Sequence, residues 1–363
     1  MIKLIIDYPT CSMRWLPVQS IAYIPHGRRI GWRCAHSQHA YREFIIWCPY
    51  PNTPVPSLYC NARSQQRGVA IPYYLDETNG WSTDPVDVEQ AVISAKAKGT
   101  DPKALVIINP GNPTGAILAY DTQRELVNIC AKHDLVLLVE KVYQINLHDR
   151  DNYPFTSFKI VLMDMQSKVP LISFHSISKG VTGECGRRGG YFECTNVPES
   201  VVALMYKMVS IGLCPPLRGQ IGVDCLVCPP VSGEPSYELW KSETDAIHAA
   251  LAKRTRLMTE RFNKLPGVTC APAPGALYLF PRLHLPPAAI QAANDAGKTP
   301  DTFYCLALLD ETGICAVPGS GFGQKEGEAH FRLTCLCAAV EEYMDHFETF
   351  QKAFWKKYGG SEE

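Results

Sequence analysis

The chain has 363 residues, of which 46% are hydrophobic and 20% are charged, values typical of a globular rather than a disordered protein. Its 35 Lys and Arg residues nearly balance its 36 Asp and Glu residues, which argues against an electrostatically driven nucleic-acid binder. The longest apolar runs, such as residues 104–108 and 135–139, are too short to span a bilayer, so we expect no membrane partner.

The N-terminal residues 1–48 form an atypical segment. Residues 11–48 show no sustained period of two or 3.6, and Met1 is not followed by the basic and apolar regions of a secretory signal. We therefore expect a cytoplasmic location, with the mitochondrial matrix as an alternative. His36 and His39 could bind a metal, but histidines at this spacing without carboxylate or Cys companions are more often exposed.

The fifteen cysteines are expected to be reduced thiols, because their number is odd and their spacing is irregular. Cys225 and Cys228 form the single CxxC pair. Such a pair can be a redox or metal site, or simply two small residues on a buried strand. We favour the buried strand and predict no metal site.

A β-α-β unit is predicted from residues 103–139. The apolar run 103–108 indicates a buried strand, which ends in a loop rich in Pro and Gly at 109–115. Thr122-Gln-Arg-Glu125 predicts a capping box at the start of a helix. A second strand at 135–139 should lie parallel to the first, because the connection contains a helix.

A third apolar strand, residues 171–174, leads towards Lys179. Residues 237–264 contain no Gly or Pro and predict a long helix, which Pro266-Gly267 ends. Short strands and helices follow, so a domain boundary is expected at the helix. The predicted units are a large domain at 49–236, a linking helix at 237–265 and a small C-terminal domain at 266–363.

Polar side chains follow the predicted strands, where ligands of parallel sheets collect: Asn112, Glu140, Tyr143 and Lys179. A lysine in such a crevice is a candidate Schiff-base nucleophile, since desolvation disfavours its ammonium form. Arg188, flanked by glycines, offers a guanidinium for a phosphate. With Glu140 as the partner of a protonated ring nitrogen, these residues predict a pyridoxal phosphate pocket.

Longer strings resemble those of alanine aminotransferases, which are fold-type-I pyridoxal phosphate enzymes. They are Asn109-Pro-Gly-Asn-Pro-Thr-Gly115, Ser173-Phe-His-Ser-Ile-Ser-Lys-Gly180 and Pro318-Gly-Ser-Gly-Phe-Gly-Gln324. Shorter strings, including Gly275-Ala-Leu-Tyr278, extend the resemblance over residues 49–363. It implies an α/β fold: a large domain with a mainly parallel, mixed sheet flanked by helices, and a smaller α+β C-terminal domain.

The resemblance also implies roles for individual residues. Lys179 would form the internal aldimine with pyridoxal 5′-phosphate and move the substrate proton, with Tyr143 and Glu140 completing the catalytic set. Arg332, helped by Asn112, would bind the substrate carboxylate bidentately. The implied cofactor-binding residues are Asn112, Glu140, Tyr143, Ser176, Ser178, Lys179 and Arg188. Either Tyr59 or Tyr50 would stack on the cofactor ring.

Three positions depart from the family pattern. Glu140-Lys141 stands where the family has Asp-Glu, so the carboxylate is one methylene longer, and a misplacement of about 1 Å can reduce a rate about 100-fold. Lys141 should point to the opposite face of the strand from Glu140. Arg187 stands where the family has an aromatic residue.

The resemblance predicts a transaminase that exchanges an amino group between L-alanine and 2-oxoglutarate by a ping-pong mechanism, acts as a homodimer and has small-molecule partners. Residues 1–10 resemble the helix that follows the family's Gly-Ala-Ser phosphate loop, but that loop does not occur in this sequence and 11–48 match nothing in the family. An impaired or inactive homologue is therefore the main alternative. A pyridoxal phosphate lyase is a third.

Overall fold

We describe a computed structural model of residues 46–49, 70–181, 183–211 and 215–359, with the backbone alone for 46–49. Its strands are β1 (Ile46–Pro49), β2 (Pro72–Tyr73), β3 (Leu75–Asp76), β4 (Ser82–Thr83), β5 (Ala104–Ile108), β6 (Val136–Glu140), β7 (Leu171–Ser176), β8 (Gly190–Thr195), β9 (Val268–Thr269), β10 (Tyr278–Leu279), β11 (Arg282–Leu283), β12 (Val317–Pro318) and β13 (Phe331–Thr334). Its helices are α1 (Pro85–Ala97), α2 (Tyr120–His133), α3 (Phe158–Asp164), α4 (Glu199–Ser210), α5 (Leu217–Val227), α6 (Tyr237–Phe262), α7 (Pro287–Asp295), α8 (Pro300–Thr312) and α9 (Val340–Lys357).

The main sheet has the strand order β2-β1-β5-β6-β7-β8. All of its neighbouring pairs are parallel except β7 and β8, which are antiparallel. The β-α-β prediction is confirmed, because β5 and β6 pair in parallel with Ile108 opposite Glu140. Helices α1, α2 and α3 pack on one face of this sheet and share a buried cluster with strands β5, β6 and β7.

The predicted capping box is wrong. Helix α2 begins at Tyr120, so Thr122 already lies within its first turn, and the N-cap residue Ala119 makes no side-chain hydrogen bond. The entry into the helix is fixed instead by Gln123, whose buried amide donates hydrogen bonds to the carbonyls of Leu118 and Thr156, each at 3.1 Å. Tertiary contacts thus replace the local cap.

The C-terminal part of the described chain is α+β, as predicted. Helix α6 covers nearly the whole predicted range 237–264. The short strands form the antiparallel order β10-β13-β12 and a separate β9-β11 pair. Their core is rich in aromatic residues from α6, α8, β13 and α9, namely Phe262, Tyr304, Phe331, Phe347, Phe350 and Phe354. Tyr143, which follows β6 of the main sheet, also packs in this core, so the edge of the main sheet meets the second core there.

The favoured interpretation of the CxxC pair is also wrong. Cys225 and Cys228 lie at the C-terminal end of helix α5 and both are exposed. Helix α5 turns its glycines inward instead. A Cβ at Gly219 would lie 2.7 Å from the carbonyl oxygen of Arg188, so this helix contacts the preceding loop closely and leaves the thiols outside. His36 and His39 lie outside the described residues.

Among the helices of the described ranges, none combines the length and the apolar character needed to cross a membrane.

Candidate active site

The predicted site residues follow the ends of neighbouring strands at one edge of the main sheet. Glu140 is the last residue of β6, and Tyr143 lies in the turn that follows it. Asn112 lies in the loop after β5, and Lys179 lies three residues beyond the end of β7. Because these three strands are adjacent and parallel, their carboxyl ends share one edge.

The Pro- and Gly-rich loop after β5 is anchored to both halves of the chain. The amide of Asn109 donates to the Glu140 carbonyl at 3.0 Å, which ties the loop to β6. Gly115 has a φ of +71°, and a Cβ there would lie 2.6 Å from the Gly275 carbonyl oxygen. Only glycine therefore allows the loop to contact the C-terminal part so closely. This contact places Asn112 beside Arg332, which donates to its Oδ1 at 2.9 Å.

A carboxyl group and an amine lie together at the sheet edge. Burial raises the pKa of the Glu140 carboxyl to about 7, and the nearby positive charge of Lys179 opposes this rise. In the described part of the chain, no side chain donates a hydrogen bond to this carboxylate. Glu140 can therefore accept a hydrogen bond from a cationic partner other than these described side chains.

Two buried tyrosines connect this edge with the second core. The hydroxyl oxygens of Tyr143 and Tyr278 are 3.1 Å apart. Burial raises the pKa of Tyr143, and the neighbouring Tyr278 raises it further. The guanidinium of Arg332 lies over the Tyr278 ring at 4.5 Å, and the Lys179 amine is 5.9 Å from the centre of the same ring. Tyr278 was part of a matched string, but the sequence assigned it no role.

The partly buried Arg332 guanidinium has no acidic partner in the described ranges. Asn112 is the one side chain there that accepts from it, and its buried Nε has no acceptor. Burial of the guanidinium also lowers the pKa of Arg332, because its charge is partly removed from water. The ring of Phe322, from the glycine-rich loop at residues 319–323, packs 5.0 Å from the guanidinium carbon. A partly buried guanidinium without a carboxylate partner is suited to bind an anionic ligand.

Arg188 lies in the β7–β8 hairpin that also carries Lys179. Ser176 pairs with Gly190, and the Ile177 amide donates to the Gly189 carbonyl at 3.2 Å, so the backbone places Arg188 across from Ser178. The Arg188 side chain is exposed and donates to the Cys185 carbonyl at 3.0 Å. Hairpin pairing thus brings the backbones of Arg188 and Lys179 into one loop, while the guanidinium contacts its own turn.

The other predicted residues have different surroundings. Ser176 and Ser178 are half-buried, and the Ser176 hydroxyl accepts from the Ser178 amide at 3.3 Å. Lys141 is buried and its amine lies 3.8 Å from Glu193 on β8. Arg187 is exposed and forms an ion pair with Glu184 at 2.9 Å. Tyr50 and Tyr59 lie outside the described side chains.

A separate cluster brings Glu77, Glu328 and His330 close enough to suggest a metal site. Arg282 already lies between the two acids, 2.8 Å from Glu77 and 3.6 Å from Glu328. A guanidinium there neutralises the carboxylates and would repel a metal ion. We therefore interpret this cluster as an ion-pair network that ties the segment after β3 to β11 and β13.

Comparison with known proteins decides the family. Residues 53–348, most of the chain, match the family described as aminotransferase class I and II. The chain belongs to this family. The described sheet edge therefore belongs to a member of the aminotransferase class I and II family.

Several relatives have similar sequences. The chain is 46% identical to a probable mitochondrial alanine aminotransferase from Dictyostelium discoideum, over 86% of this chain and 59% of that protein. It is 47% identical to glutamate–glyoxylate aminotransferase 1 from Arabidopsis thaliana, over 86% of this chain and 66% of that protein. It thus spans less than two thirds of the length of these relatives.

A solved structure extends the comparison to three dimensions. Alanine aminotransferase from Pyrococcus furiosus superimposes with a TM-score of 0.70 and 26% identity, over 86% of this chain and 71% of that one. The predicted family and the α/β fold of the type-I enzymes are confirmed. The predicted cofactor, pyridoxal 5′-phosphate, is confirmed at the level of the family.

The residues of this aminotransferase-family chain fit the cofactor. Among the described residues no side chain donates to the Glu140 carboxylate, which lies near the Lys179 amine, and this suits a ring with a protonated nitrogen next to a lysine. Tyr143 and Asn112, both buried, place a hydroxyl and an amide at the same sheet edge. Ser176 and Ser178 lie in the same loop as Lys179, whereas the exposed Arg188 guanidinium contacts the Cys185 carbonyl and would have to turn towards this loop to bind the phosphate.

The raised pKa of Glu140 predicts a pH dependence of stability for the cofactor-free chain. The carboxyl has a pKa of about 7 when folded and 4.5 ordinarily, so the folded state holds a proton that the unfolded state loses between these values. Stability should therefore fall as the pH rises from 4.5 to 7, by about 3 kcal/mol in total. In Glu140→Gln this fall should disappear, as measured by urea unfolding at pH 5 and pH 8.

Exposed Glu125, on helix α2, provides the matched control. Glu125→Gln should retain the pH dependence of the unaltered chain. Equal pH dependence in Glu140→Gln and the unaltered chain would contradict the interpretation.

Proposed function

We propose that this chain transfers an amino group between L-alanine and 2-oxoglutarate with pyridoxal 5′-phosphate. One observation carries the proposal: a lysine amine and a guanidinium that has no acidic partner among the described residues lie near the same buried ring. Arg332 is 4.5 Å and Lys179 is 5.9 Å from the centre of Tyr278. A substrate whose carboxylate binds Arg332 would therefore hold its α-carbon towards Lys179.

The cofactor, when bound, would supply an electrophilic carbon and a ring that accepts electrons from the substrate. Glu140 would hold the ring nitrogen in its protonated form, because a carboxylate stabilises an adjacent positive charge. Asn112 and Tyr143 would donate hydrogen bonds to the ring oxygen. Arg188, together with Ser176 and Ser178, would bind the phosphate.

The chain's own residues would then move the substrate proton. Lys179 would accept the proton of the α-carbon at Nζ and return it elsewhere on the reacting system, as a general base and then a general acid. Arg332 would fix the carboxylate during both steps. Because an amino acid and a 2-oxo acid share the same carboxylate, one guanidinium can receive the two substrates in turn, which favours a ping-pong order.

The relatives suggest a second substrate pair. One carries the name glutamate–glyoxylate aminotransferase, so glutamate with glyoxylate is the alternative pair for this chain. The impaired homologue receives no support from these comparisons, since each relative cited is named as an aminotransferase.

Incubation of the chain with pyridoxal phosphate, alanine and 2-oxoglutarate tests the proposal. We expect pyruvate and glutamate in equal amounts, and borohydride should attach the cofactor to the peptide that contains Lys179. Without 2-oxoglutarate, pyruvate should not exceed the amount of cofactor present, because alanine becomes pyruvate only when an acceptor takes its amino group. Turnover of alanine to other products under these conditions would indicate the lyase, and faster transfer from glutamate to glyoxylate would indicate the second pair. A folded chain that forms neither product nor a modified Lys179 would contradict the proposal.

We also propose that the chain forms a homodimer through helices α4 and α5. These helices expose large apolar side chains on the protein surface, and patches of this kind commonly mark an interface. They are Val201, Leu204, Met208, Leu217 and Ile221, together with Ile211, which directly follows α4. Leu204→Asp with Met208→Asp should convert a dimer into a monomer in sedimentation equilibrium, because each carboxylate would be buried without a partner.

Ile160→Asp serves as the control, since Ile160 is exposed on helix α3 instead. It should leave the mass unchanged, and a dimer that survives the double substitution would contradict the proposed interface.

We propose a cytoplasmic location, with the mitochondrial matrix as the alternative, which the name of the Dictyostelium discoideum relative supports.

A further inference from the structure

We propose that Tyr278 is a positioning residue that joins the two halves of the site, with its hydroxyl directing Tyr143 and its ring holding Arg332. This inference rests on the proposed function. It assigns a role to Tyr278 that neither the motif Gly275-Ala-Leu-Tyr278 nor the charge of the residue would indicate.

The hydroxyl carries the first half of the role. The hydroxyl oxygens of Tyr278 and Tyr143 are 3.1 Å apart, and both side chains are buried. Each hydroxyl has a single proton to donate. If Tyr143 donates its proton to the ring oxygen of the cofactor, the hydrogen bond between the tyrosines must come from Tyr278. Hydrogen bonds in such a chain strengthen one another, so Tyr278 makes Tyr143 a better donor.

The ring carries the second half. The rings of Tyr143 and Tyr278 meet almost at right angles, with their centres 5.6 Å apart and an interplanar angle of 80°. The Arg332 guanidinium lies over the face of the Tyr278 ring, 4.5 Å from its centre. Phe322 adds a second aromatic contact at 5.0 Å, and Asn112 accepts from the guanidinium at 2.9 Å. These contacts restrict the guanidinium before a substrate arrives.

The backbone makes this arrangement rigid. Tyr278 belongs to β10 and pairs with Thr334 of β13, the strand that carries Arg332. Leu277 accepts a further hydrogen bond from the Cys335 amide at 3.1 Å. Both partners in the ring contact therefore move together as parts of one small sheet, and Tyr278 is the member of that sheet that also reaches Tyr143.

Several charged and titratable groups surround Tyr143, and each of them affects a pH titration of the site. Glu140 from β6 raises the pKa of Tyr143, and Arg332 from β13 lowers it. Tyr278 from β10 also raises the pKa of Tyr143, and the Lys179 amine lies near the Tyr278 ring. Tyr278→Phe removes one hydroxyl from this set and leaves the charges unchanged.

Tyr278→Phe tests the hydroxyl. In the cofactor-loaded chain, the pH midpoint of the visible absorbance band should rise by about 0.5 unit, because Tyr143 becomes a weaker donor to the ring oxygen. The KM for alanine should change less than twofold, since the ring remains. Tyr304→Phe is the matched control: it removes another buried tyrosine hydroxyl, whose bond to Gln351 lies in the second core. It should leave the midpoint unchanged.

Tyr278→Leu tests the ring. It should raise the KM for alanine and for 2-oxoglutarate about tenfold, because Arg332 loses the aromatic face that holds it. Circular dichroism of each variant establishes that it is folded. A midpoint in Tyr278→Phe equal to that of the unaltered chain would overturn the proposal, as would an unchanged KM in folded Tyr278→Leu. Loss of the proposed function itself would instead appear in the unaltered chain, which would show no band and no transfer.

Discussion

Lys179→Ala is expected to reduce amino transfer from alanine by a factor on the order of 10⁴ or more. Removal of a covalent nucleophile that also moves the proton leaves the reaction with binding and electrostatic effects alone. The neighbouring Lys141 cannot replace it, since its amine faces Glu193 on β8 rather than the Tyr278 ring. The rate of the first half-reaction, followed by the absorbance of the cofactor in a stopped-flow instrument, measures this effect.

Lys168→Ala is the control for this substitution, because Lys168 is exposed in the connection between α3 and β7. It should retain the full rate. Cofactor-loaded Lys179→Ala should also fail to give a borohydride-stable adduct. A variant at Lys179 that retains more than one hundredth of the rate would show that another group moves the proton.

Arg332→Met is expected to lower kcat/KM for alanine about 100- to 1000-fold, equivalent to about 3–4 kcal/mol. The substitution removes the guanidinium that the carboxylate would pair with, and loss of one member of a buried charge pair commonly has a cost of this size. Arg332→Lys should recover only part of the loss, because an ammonium cannot form two parallel hydrogen bonds to a carboxylate. Steady-state kinetics with alanine measures both variants.

Arg332→Met should not lower the stability of the unliganded chain, in contrast to its effect on kcat/KM. Burial lowers the pKa of Arg332, which shows that its charge is held at a cost in the unliganded chain. Arg332→Met should therefore be at least as stable as the unaltered chain to urea, since it removes a desolvated charge and keeps the apolar stem. Arg124→Met, at an exposed position on helix α2, should change neither quantity. An unchanged kcat/KM in Arg332→Met would contradict the role.

Helices and strands whose signals are local could be predicted from the sequence. The β5-α2-β6 unit was predicted because a buried parallel strand is a continuous apolar run, and this pattern is independent of distant residues. The long helix α6 was predicted because it contains no Gly or Pro. The predictions of the capping box and of Cys225 and Cys228 were wrong because each used a short pattern, whereas Gln123 and Gly219 decide these segments through tertiary contacts.

By itself, the sequence determined the family, the main sheet and the polar residues that follow its strands, because each strand end lies close to the residues that define the strand. It did not determine how Arg332 reaches Asn112 across 220 positions, or how Tyr278 meets Tyr143 across 135. The tertiary structure decided those contacts, since they arise where the second core packs against the edge of the main sheet. The physical reason is that such packing depends on the burial of whole surfaces, which no short pattern along the chain records.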